Sequence, residues 1–273
     1  MAFAASAHKA VVQEEFTKQA PAYAVNPSIT DPQRLKRLVQ AIGPSPKARA
    51  LEVATGPGHV AMALARACRE VVGLDLTEAQ LAQAEKIRAR RRIGNVRFES
   101  GDAERTRFAS GEFDIVICRF AFHHFERPQR VFAEMSRVCR PGGIVAVEDL
   151  VGSEHPSRAA YLNRVERLRD PSHTRSLRLS ELIAMFTACG LEIEEMYLGC
   201  LRPEMETWMA NARTPSPQAR RVRELLAADE RLDLSGAHPY RDNGHLHFIQ
   251  RTATIIARKL RSPRRVKALV KSP

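Results

Sequence analysis

The sequence lacks the features that direct a protein into a membrane or a secretory pathway. No apolar run approaches the roughly 18 residues that a membrane-spanning helix needs. The N-terminus has no charged segment followed by a long apolar stretch. Aromatic residues make up only 6% of the 273 residues. We therefore expect a cytoplasmic protein, and the 44% apolar content is enough for a globular core in a chain of this length.

Cysteine is scarce, and its spacing forms no C-x-x-C pair. The five cysteines lie at positions 68, 118, 139, 189 and 200, in apolar contexts. This pattern favours small buried side chains over a disulfide framework or a zinc site. His245 and His247 share one face of a predicted strand, but without a third ligand they do not define a metal site. The sequence therefore predicts no bound metal.

Acidic residues are missing from the last 16 residues. This segment, 258–273, carries seven basic residues, more than half of the formal net charge of +12. The rest of the chain is mildly basic and has no alternation of aromatic and basic residues of the kind that stacks bases. We interpret 258–273 as a flexible basic tail. A weak contact with an anionic membrane surface or RNA is the alternative, and nucleic-acid binding is otherwise not expected.

The most informative stretch is ALEVATGPGHVA, residues 50–61. Leu51–Ala54 is typical of a buried parallel strand, and Gly56 and Gly58 give a turn whose backbone a ligand can approach. Ala61 completes a G-x-G-x-x-A spacing, in which a small residue lets the next helix pack closely on the strand. Asp75 ends a second apolar strand, where an acidic residue can accept hydrogen bonds from both hydroxyls of a ribose. The stretch predicts a nucleotide-binding corner.

Helix and strand patterns alternate along the chain, which favours a doubly wound sheet. The predicted strands are 51–54, 71–75, 95–100, 113–119, 144–149, 191–197 and 245–257. The predicted helices are 8–24, broken by Pro21 and Pro27, then 32–42, 59–68, 78–92, 128–139, 157–169, 180–189, 204–212 and 217–228.

Further stretches carry a family resemblance. They are ESGDAE (99–104), FDIVICRFAFHHF (113–125) and RVCRPGG (137–143). With the glycine corner, this ordered set resembles the class I S-adenosylmethionine-dependent methyltransferases, specifically the small-molecule branch typified by ubiquinone and menaquinone biosynthesis methyltransferases. Segments 163–173, 179–182 and 208–213 resemble a bacterial subgroup of that branch whose substrates are mostly unassigned. The chain differs from the pattern of this family in two places. It has Ala54-Thr55 where many relatives have a second acidic residue or Gly-Cys, and it has a basic tail.

The resemblance implies an α/β fold with a doubly wound, seven-stranded, mostly parallel sheet whose last strand is antiparallel. It implies one methyltransferase domain over 1–257. Residues 1–44 would form an N-terminal helical lid, and 151–190 and 203–228 would form helices that cap the substrate.

The resemblance also implies S-adenosylmethionine as the cofactor, released as S-adenosylhomocysteine. Backbone N–H groups of the glycine turn and of the helix beginning near His59 would hold the methionine carboxylate. Acidic side chains would face the amino and ribose ends, and Asp102 would edge the adenine. An ion pair within the sheet is the alternative for Glu52. The predicted cofactor residues are Glu52, Ala54, Thr55, Gly56, Gly58, Asp75, Leu76, Asp102, Ala103, Arg119 and Phe120.

Three histidines are candidates for a proton acceptor. His123 and His124 follow the fourth strand at the carboxyl edge of the sheet, where ligands bind in such folds, and histidine titrates in the right range. Capping of the following helix is the alternative. His173 lies in the capping insertion. The predicted substrate-binding residues are Tyr23, Asn163, Arg167, Asp170, His173, Glu148 and Trp208; a salt bridge for Arg167, hydrogen bonds to loop amides for Glu148 and packing for Trp208 are the alternatives.

These residues predict an enzyme that methylates a small aromatic or isoprenoid-like molecule at carbon, oxygen or nitrogen. Because the sulfonium is already activated, the protein has mainly to align the acceptor and exclude water. Two alternatives stay open. One is a methyltransferase-fold enzyme that catalyses a cyclisation or rearrangement, and the other is a protein recruited to RNA or a membrane by its tail. The sequence does not indicate the oligomeric state.

Overall fold

The computed structural model describes residues 7–261, and the main sheet of this part of the chain has eight strands. Seven of them follow one another in the order β3-β2-β1-β4-β5-β10-β7, and the short β6 pairs with β5 outside this path. Strands β1 to β5 pair in parallel, and β10 pairs antiparallel with β5 and β7. The strands are β1 (Arg49–Val53), β2 (Glu70–Asp75), β3 (Val96–Ser100), β4 (Phe113–Arg119), β5 (Cys139–Gly152), β6 (Leu177–Arg178), β7 (Leu191–Leu201), β8 (Tyr240–Asp242), β9 (His245–His247) and β10 (Gln250–Lys259). The predicted fold class, with its antiparallel last strand, is confirmed.

Helices connect most of the strands. They are α1 (Ala7–Tyr23), α2 (Pro27–Thr30), α3 (Pro32–Ile42), α4 (His59–Leu64), α5 (Glu78–Arg90), α6 (Pro128–Val138), α7 (Pro156–Arg169), α8 (Leu179–Ala188), α9 (Met205–Asn211) and α10 (Ser216–Leu232), with a 3₁₀ turn at Phe122–His124. None of these helices, which cover the described part of the chain, is long and apolar enough to cross a membrane.

Alternate residues of the central strands face two separate cores. In β4, Val116 and Cys118 pack in a cluster that includes residues of α6 and α8. Ile115 and Ile117 belong to a second cluster, which includes residues of α3 and α4. Because both faces of β4 are buried, its sequence is an almost unbroken apolar run, as is typical of a parallel strand covered on both sides.

A third apolar cluster joins the helices that follow β5. Residues of α7, α9 and α10 pack around Trp208 and Phe248. The two aromatic rings meet edge to face, with centroids 4.8 Å apart. These helices therefore share a core of their own, next to the sheet.

The predicted strand 245–257 is wrong in its first half. His245 and His247 lie in β9, which pairs with β8 in a separate hairpin, and β10 begins at Gln250. Between them Phe248 is fully buried, and the Ile249 N–H donates to the carbonyl of Ala237. Burial of Phe248 turns the chain, so the two histidines do not lie in the main sheet.

The predicted start of the tail is also wrong, because β10 continues to Lys259. Arg258 pairs with Glu194 of β7, and the Lys259 ammonium donates to the carbonyls of Ser136 and Cys139. Acceptors on neighbouring elements therefore bind the first two basic side chains. Residues 262–273 of the predicted tail lie outside the described residues, as do residues 1–6 of the predicted lid.

Two smaller expectations differ from the structure. Pro21 does not end α1, which continues to Tyr23. A proline so close to a helix C-terminus disturbs only the last turn. Cys68, Cys118 and Cys139 are buried as expected, but Cys200 is exposed on the edge strand β7.

Candidate active site

Three cavities meet at the carboxyl ends of β1 and β4. The adenosyl cavity, between α1 and the ends of β1 to β3, encloses about 820 Å³, including space open to solvent. The glycine-turn cavity, beside the turn after β1, encloses about 290 Å³. The acceptor cavity, between α1, the turn after β4 and α9, encloses about 960 Å³. Tyr23 and Phe120 line all three, so the cavities are neighbours that border on these two side chains.

The turn after β1 has the conformation that its glycines allow. Gly56 and Gly58 have φ of +52° and +76°, and the nearby Ala54 also has a positive φ of 53°. The Gly56 N–H donates to Asp75 Oδ2 at 2.8 Å, which ties the turn to the end of β2. A Cβ added at Gly56 would lie 3.5 Å from the Tyr23 ring. The backbone of the turn therefore lies directly beside the residue that the cavities share.

Asp75 lines the adenosyl cavity and Glu52 the glycine-turn cavity, and neither forms an ion pair with another residue of 7–261. Asp75 accepts from the N–H groups of Gly56 and Thr77, at 2.8 Å each, and burial raises the pKa of its carboxyl. Glu52 Oε2 accepts from Thr55 Oγ1 at 2.5 Å and from the Ala61 N–H at 2.8 Å. Burial raises the pKa of Glu52 to about 8. The alternative of an ion pair within the sheet is not seen for Glu52 within residues 7–261.

Two buried acceptor atoms in these walls have no hydrogen-bond partner within the described residues. They are Gln80 Oε1, in the adenosyl cavity, and His59 Nδ1, in the glycine-turn cavity. The other ends of both side chains are fixed, since Gln80 Nε2 and His59 Nε2 lie 2.9 Å from the carbonyls of Phe16 and Ala24. Acceptors without donors fit a ligand that brings hydroxyl and ammonium groups. These two acceptors are thus suited to the hydroxyl and ammonium groups of S-adenosylmethionine.

Arg119 and Glu148 are neighbours across β4 and β5 and form a buried ion pair. Glu148 also pairs with Arg34 of α3, and Arg119 Nη1 donates to the carbonyl of Ile29 at 2.9 Å. Glu148 is therefore occupied by two guanidinium groups and does not line the acceptor cavity. Arg119 lines the glycine-turn cavity.

Helix α1 lies over the adenosyl cavity through contacts that the sequence did not predict. Lys9 Nζ lies 2.7 Å from Asp102 Oδ2, and Gln13 Nε2 donates to the carbonyl of Leu76 at 3.0 Å. Both bonds end at predicted cofactor residues. Sequence reasoning missed Lys9 and Gln13, since the only signal in α1 was the spacing of its apolar residues. It also missed Gln80 of α5, whose contact with Phe16 depends on the packing of α1.

The structure brings the three predicted histidines together. The ring centroids of His123 and His124 are 4.2 Å apart, and that of His173 lies 5.6 and 6.2 Å from them. His123 and His124 line the acceptor cavity. His173 is 2% exposed, bonds through Nε2 to Asn163 Oδ1 at 2.9 Å and is not among the residues that line this cavity. Two of the three imidazoles therefore line the acceptor cavity, and that of His124 also lines the adenosyl cavity.

The same cluster gives the three imidazoles different acidities. Burial, followed by the neighbouring charge of His123, lowers the pKa of His124 to about 3. Burial and the two other histidines also lower the pKa of His173. Burial acts in the same direction on His123, but the nearby Asp149 carboxylate outweighs it and raises the pKa of His123. Of the three, His123 is the base that retains a proton most readily.

The predicted substrate residues are divided between the cavity and its surroundings. Tyr23, Asp170 and Trp208 line the acceptor cavity. Asn163 is buried behind it, where Oδ1 accepts from His173 and from the Ser176 N–H. Arg167 is exposed and donates to the carbonyl of Thr174 at 3.0 Å. Only the first three are placed to touch a molecule in this cavity.

No group of three or more His, Cys, Asp or Glu side chains is arranged to hold a metal ion in residues 7–261. Two acidic side chains line the acceptor cavity, and both have protein partners. Asp170 accepts from Gln19 Nε2 and from Ser172, and Glu204 caps the first turn of α9. Their polar atoms are used to hold the walls together.

The chain is similar to known methyltransferases in sequence and in structure. Residues 51–147 match the methyltransferase domain family. The chain is 30% identical over 220 residues to the uncharacterized methyltransferase YcgJ of Bacillus subtilis, covering 80% of this chain and 87% of that protein. The YcgJ crystal structure matches with a TM-score of 0.78 at 28% identity, over 84% of this chain and 99% of that one. The protein therefore belongs to the S-adenosylmethionine-dependent methyltransferase family.

A narrower similarity links the chain to a named activity. The demethylmenaquinone methyltransferase of Renibacterium salmoninarum is 36% identical over 146 residues, which are 52% of this chain and 58% of that protein. The resemblance to the menaquinone branch noted in the sequence is thus confirmed.

Proposed function

We propose that the protein methylates a small aromatic or isoprenoid-like molecule held in the acceptor cavity. The observation that carries this proposal is that the three cavities share Tyr23 and Phe120 in their walls. A cofactor that occupies the adenosyl and glycine-turn cavities and an acceptor in the third would be neighbours at these side chains. In-line transfer of a methyl group requires the two molecules to lie next to each other.

The cofactor residues have separate tasks in this proposal. S-adenosylmethionine supplies an electrophilic methyl group on a sulfonium. Asp75 accepts from the ribose hydroxyls, and Asp102 and Ala103 border the adenine. Glu52 faces the amino group, and the backbone N–H groups after Gly56 and at the start of α4 hold the carboxylate. The other members of the predicted set, Ala54, Thr55, Gly58, Leu76, Arg119 and Phe120, shape the walls.

The walls of the acceptor cavity favour a flat, largely apolar molecule. Four aromatic side chains line it, from Phe16, Tyr23, Phe120 and Trp208. Aromatic walls with a few fixed polar groups are typical of sites that bind small organic ligands. The demethylmenaquinone methyltransferase relative supports a quinone-type acceptor, although the matching region is about half of each chain.

Calorimetric titration with S-adenosylmethionine and S-adenosylhomocysteine, with NAD as the control, tests the cofactor. We expect micromolar binding of the first two and none of NAD. Incubation with labelled S-adenosylmethionine and a panel of hydroquinones, phenols, isoprenoid alcohols and amines then tests transfer. Absence of cofactor binding contradicts the proposal. Binding without transfer to any acceptor favours a cyclisation or rearrangement instead.

Deletion of the basic tail tests the alternative that the protein is recruited to RNA or to a membrane. Because Arg258 and Lys259 lie in β10, the deletion must begin at residue 262 to leave the sheet intact. We expect the shortened protein to retain cofactor affinity and turnover. Loss of binding to RNA or to anionic vesicles with unchanged turnover would assign the tail a separate role.

A further inference from the structure

Asp149 holds a network of hydrogen bonds at the wall of the acceptor cavity. Its Oδ2 accepts from the N–H groups of Ala121 and Phe122, at 3.0 and 2.5 Å. Its Oδ1 accepts from the Leu150 N–H at 2.6 Å and lies 2.5 Å from His123 Nδ1. The carboxylate, which is 2% exposed, is therefore fixed by three backbone groups while it contacts one imidazole.

These contacts determine which nitrogen of His123 can act. An ionised carboxylate only accepts hydrogen bonds, so Nδ1 of His123 must carry the proton. The lone pair of the neutral ring is then on Nε2. Since His123 lines the acceptor cavity, the ring is a base whose orientation and tautomer are set before any molecule binds.

We infer, on the basis of the proposed function, that His123 accepts a proton from the acceptor molecule and that Asp149 orients this base and raises its pKa. The acceptor then belongs to the molecules that must lose an O–H proton, which are phenols, hydroquinones and enols. His123 is the catalytic residue in this inference. Asp149 acts through it and is a positioning residue.

The step balances without a further reactant. The oxygen, or the conjugated carbon, forms a bond with the methyl carbon, the C–S bond breaks, and its electron pair stays on sulfur. The O–H proton moves to His123 Nε2, which later releases it to water. When carbon attacks, the hydrogen on that carbon afterwards moves to the oxygen. One proton is released in either case.

The other histidines are poorer bases at this place. His124 Nδ1 lies 3.0 Å from the Ser172 carbonyl, and its pKa of about 3 leaves it a weak base at neutral pH. His173 bonds to Asn163 behind the wall. The acidic groups near His123 are Asp149, Glu166 and Asp170, and together they favour a proton on its ring.

The charged side chains beside Trp208 are paired within the wall. Arg169 lines the cavity with its guanidinium 4.8 Å from the centre of the Trp208 ring, and its Nη1 lies 3.9 Å from Asp170 Oδ2. Because this charge has a partner in the protein, the aromatic side chains are the part of the wall that selects the ring of the acceptor. The aromatic walls suit the rings of phenols and hydroquinones equally well.

The test compares two phenols that differ in acidity. The probes are phenol, which is protonated at neutral pH, and 4-nitrophenol, which is largely ionised at pH 8. His123→Asn should lower turnover of phenol by roughly 10²- to 10⁴-fold and change that of 4-nitrophenol little, because the latter needs no base. His155→Asn, at an exposed position, is the matched control. Calorimetry should give the same S-adenosylhomocysteine affinity for the wild-type protein, His123→Asn and His155→Asn.

Asp149→Asn gives a second readout that a purely structural role would not produce. Because Asp149 raises the pKa of His123, its replacement should move the acidic limb of the kcat/KM profile for phenol to lower pH. A third measurement needs no turnover. In the S-adenosylhomocysteine complex, the absorbance of 4-nitrophenol below its own pKa should show more phenolate for wild-type protein than for His123→Asn.

Distinct results would overturn the inference. Equal losses with both phenols, at unchanged S-adenosylhomocysteine affinity, would show that His123 shapes the cavity and accepts no proton. Methylation of amines but of no phenol, hydroquinone or enol would refute the acceptor class and leave the proposed function standing. Failure of the wild-type protein to bind S-adenosylmethionine would refute the proposed function itself.

Discussion

Arg119 Nε lies 2.9 Å from Glu148 Oε2, and the two side chains are 3% and 2% exposed. The ion pair lies between the carboxyl ends of β4 and β5, and both partners make further bonds. Arg119 donates to the carbonyl of Ile29, and Glu148 also pairs with Arg34. Two strands of the sheet are thereby joined to α3 and to α2, whose Ile29 lines the glycine-turn cavity.

Glu148→Gln should therefore destabilise the protein by about 3 to 5 kcal/mol, because it leaves buried guanidinium charge without its carboxylate. Urea denaturation gives the free energy of unfolding, and hydrogen exchange should quicken in residues 24–34. Glu70→Gln is the control. Glu70 pairs with Arg49 and Arg97 at a partly exposed site, where a loss of about 1 kcal/mol or less is expected. Equal losses for the two variants would show that burial does not strengthen the Glu148 pair.

Gly58→Ala should destabilise the protein for two separable reasons. Gly58 has φ of +76°, and an added Cβ would lie 2.5 Å from Phe98 Cζ. The left-handed conformation alone costs about 1 to 2 kcal/mol with a side chain present. A double-mutant cycle with Phe98→Ala isolates the clash, since the Cβ then has room. We expect a coupling of about 0.5 to 3 kcal/mol. Additive effects would show that Phe98 moves aside without cost.

Glu52→Gln should change how stability depends on pH. Burial raises the pKa of Glu52 to about 8, so the folded protein holds a proton that the unfolded chain releases near pH 4 to 5. Stability is therefore lost as pH rises from about 5 to 8, by up to about 1.4 kcal/mol per unit. The amide cannot ionise, and the variant should have a flatter profile in urea denaturation.

Glu85→Gln serves as the control for that profile. Glu85 is half exposed and pairs with Arg88 within α5, so its replacement should leave the slope between pH 5 and 8 unchanged. His123 has a raised pKa and contributes a loss in the same direction, but it does so equally in both variants. A Glu52→Gln profile parallel to that of wild-type protein would mean that Glu52 is ionised in the folded state.

The glycine corner could be predicted from sequence because its determinants are local. Gly56, Gly58 and Ala61 lie within six residues of one another, and the turn that they permit follows from backbone conformation alone. Strands buried on both faces, such as β4, were recognised for a similar reason, since residues 115–118 of that strand are all apolar. Local conformation and periodicity were enough to predict a doubly wound sheet, while the number of strands and the antiparallel last strand came from the family resemblance.

The polar contacts of the candidate site depend on pairs that are distant in sequence. Lys9 meets Asp102, and Asp149 meets His123 from the next strand of the sheet. No pattern indicates such partners before the sheet order is known. Arg167 and Glu148 were misjudged for the same reason. Their charges suggested that they bind the substrate, but in the folded protein they bind other residues of the chain. The strand 245–257 was misread because burial of Phe248 depends on helices that pack only in the folded protein.

Asp75→Asn should weaken binding of S-adenosylmethionine and S-adenosylhomocysteine by roughly tenfold to a hundredfold, the range expected when hydrogen bonds lose a charged partner. The amide retains one oxygen for the Gly56 N–H, which Asp75 accepts at 2.8 Å, so the turn should persist. Calorimetry measures the affinity, and thermal unfolding without ligand checks the fold. Glu78→Gln, three residues further and exposed at the start of α5, is the matched control. If both variants bind the cofactor as wild-type protein does, Asp75 holds only the turn, and the ribose must bind elsewhere.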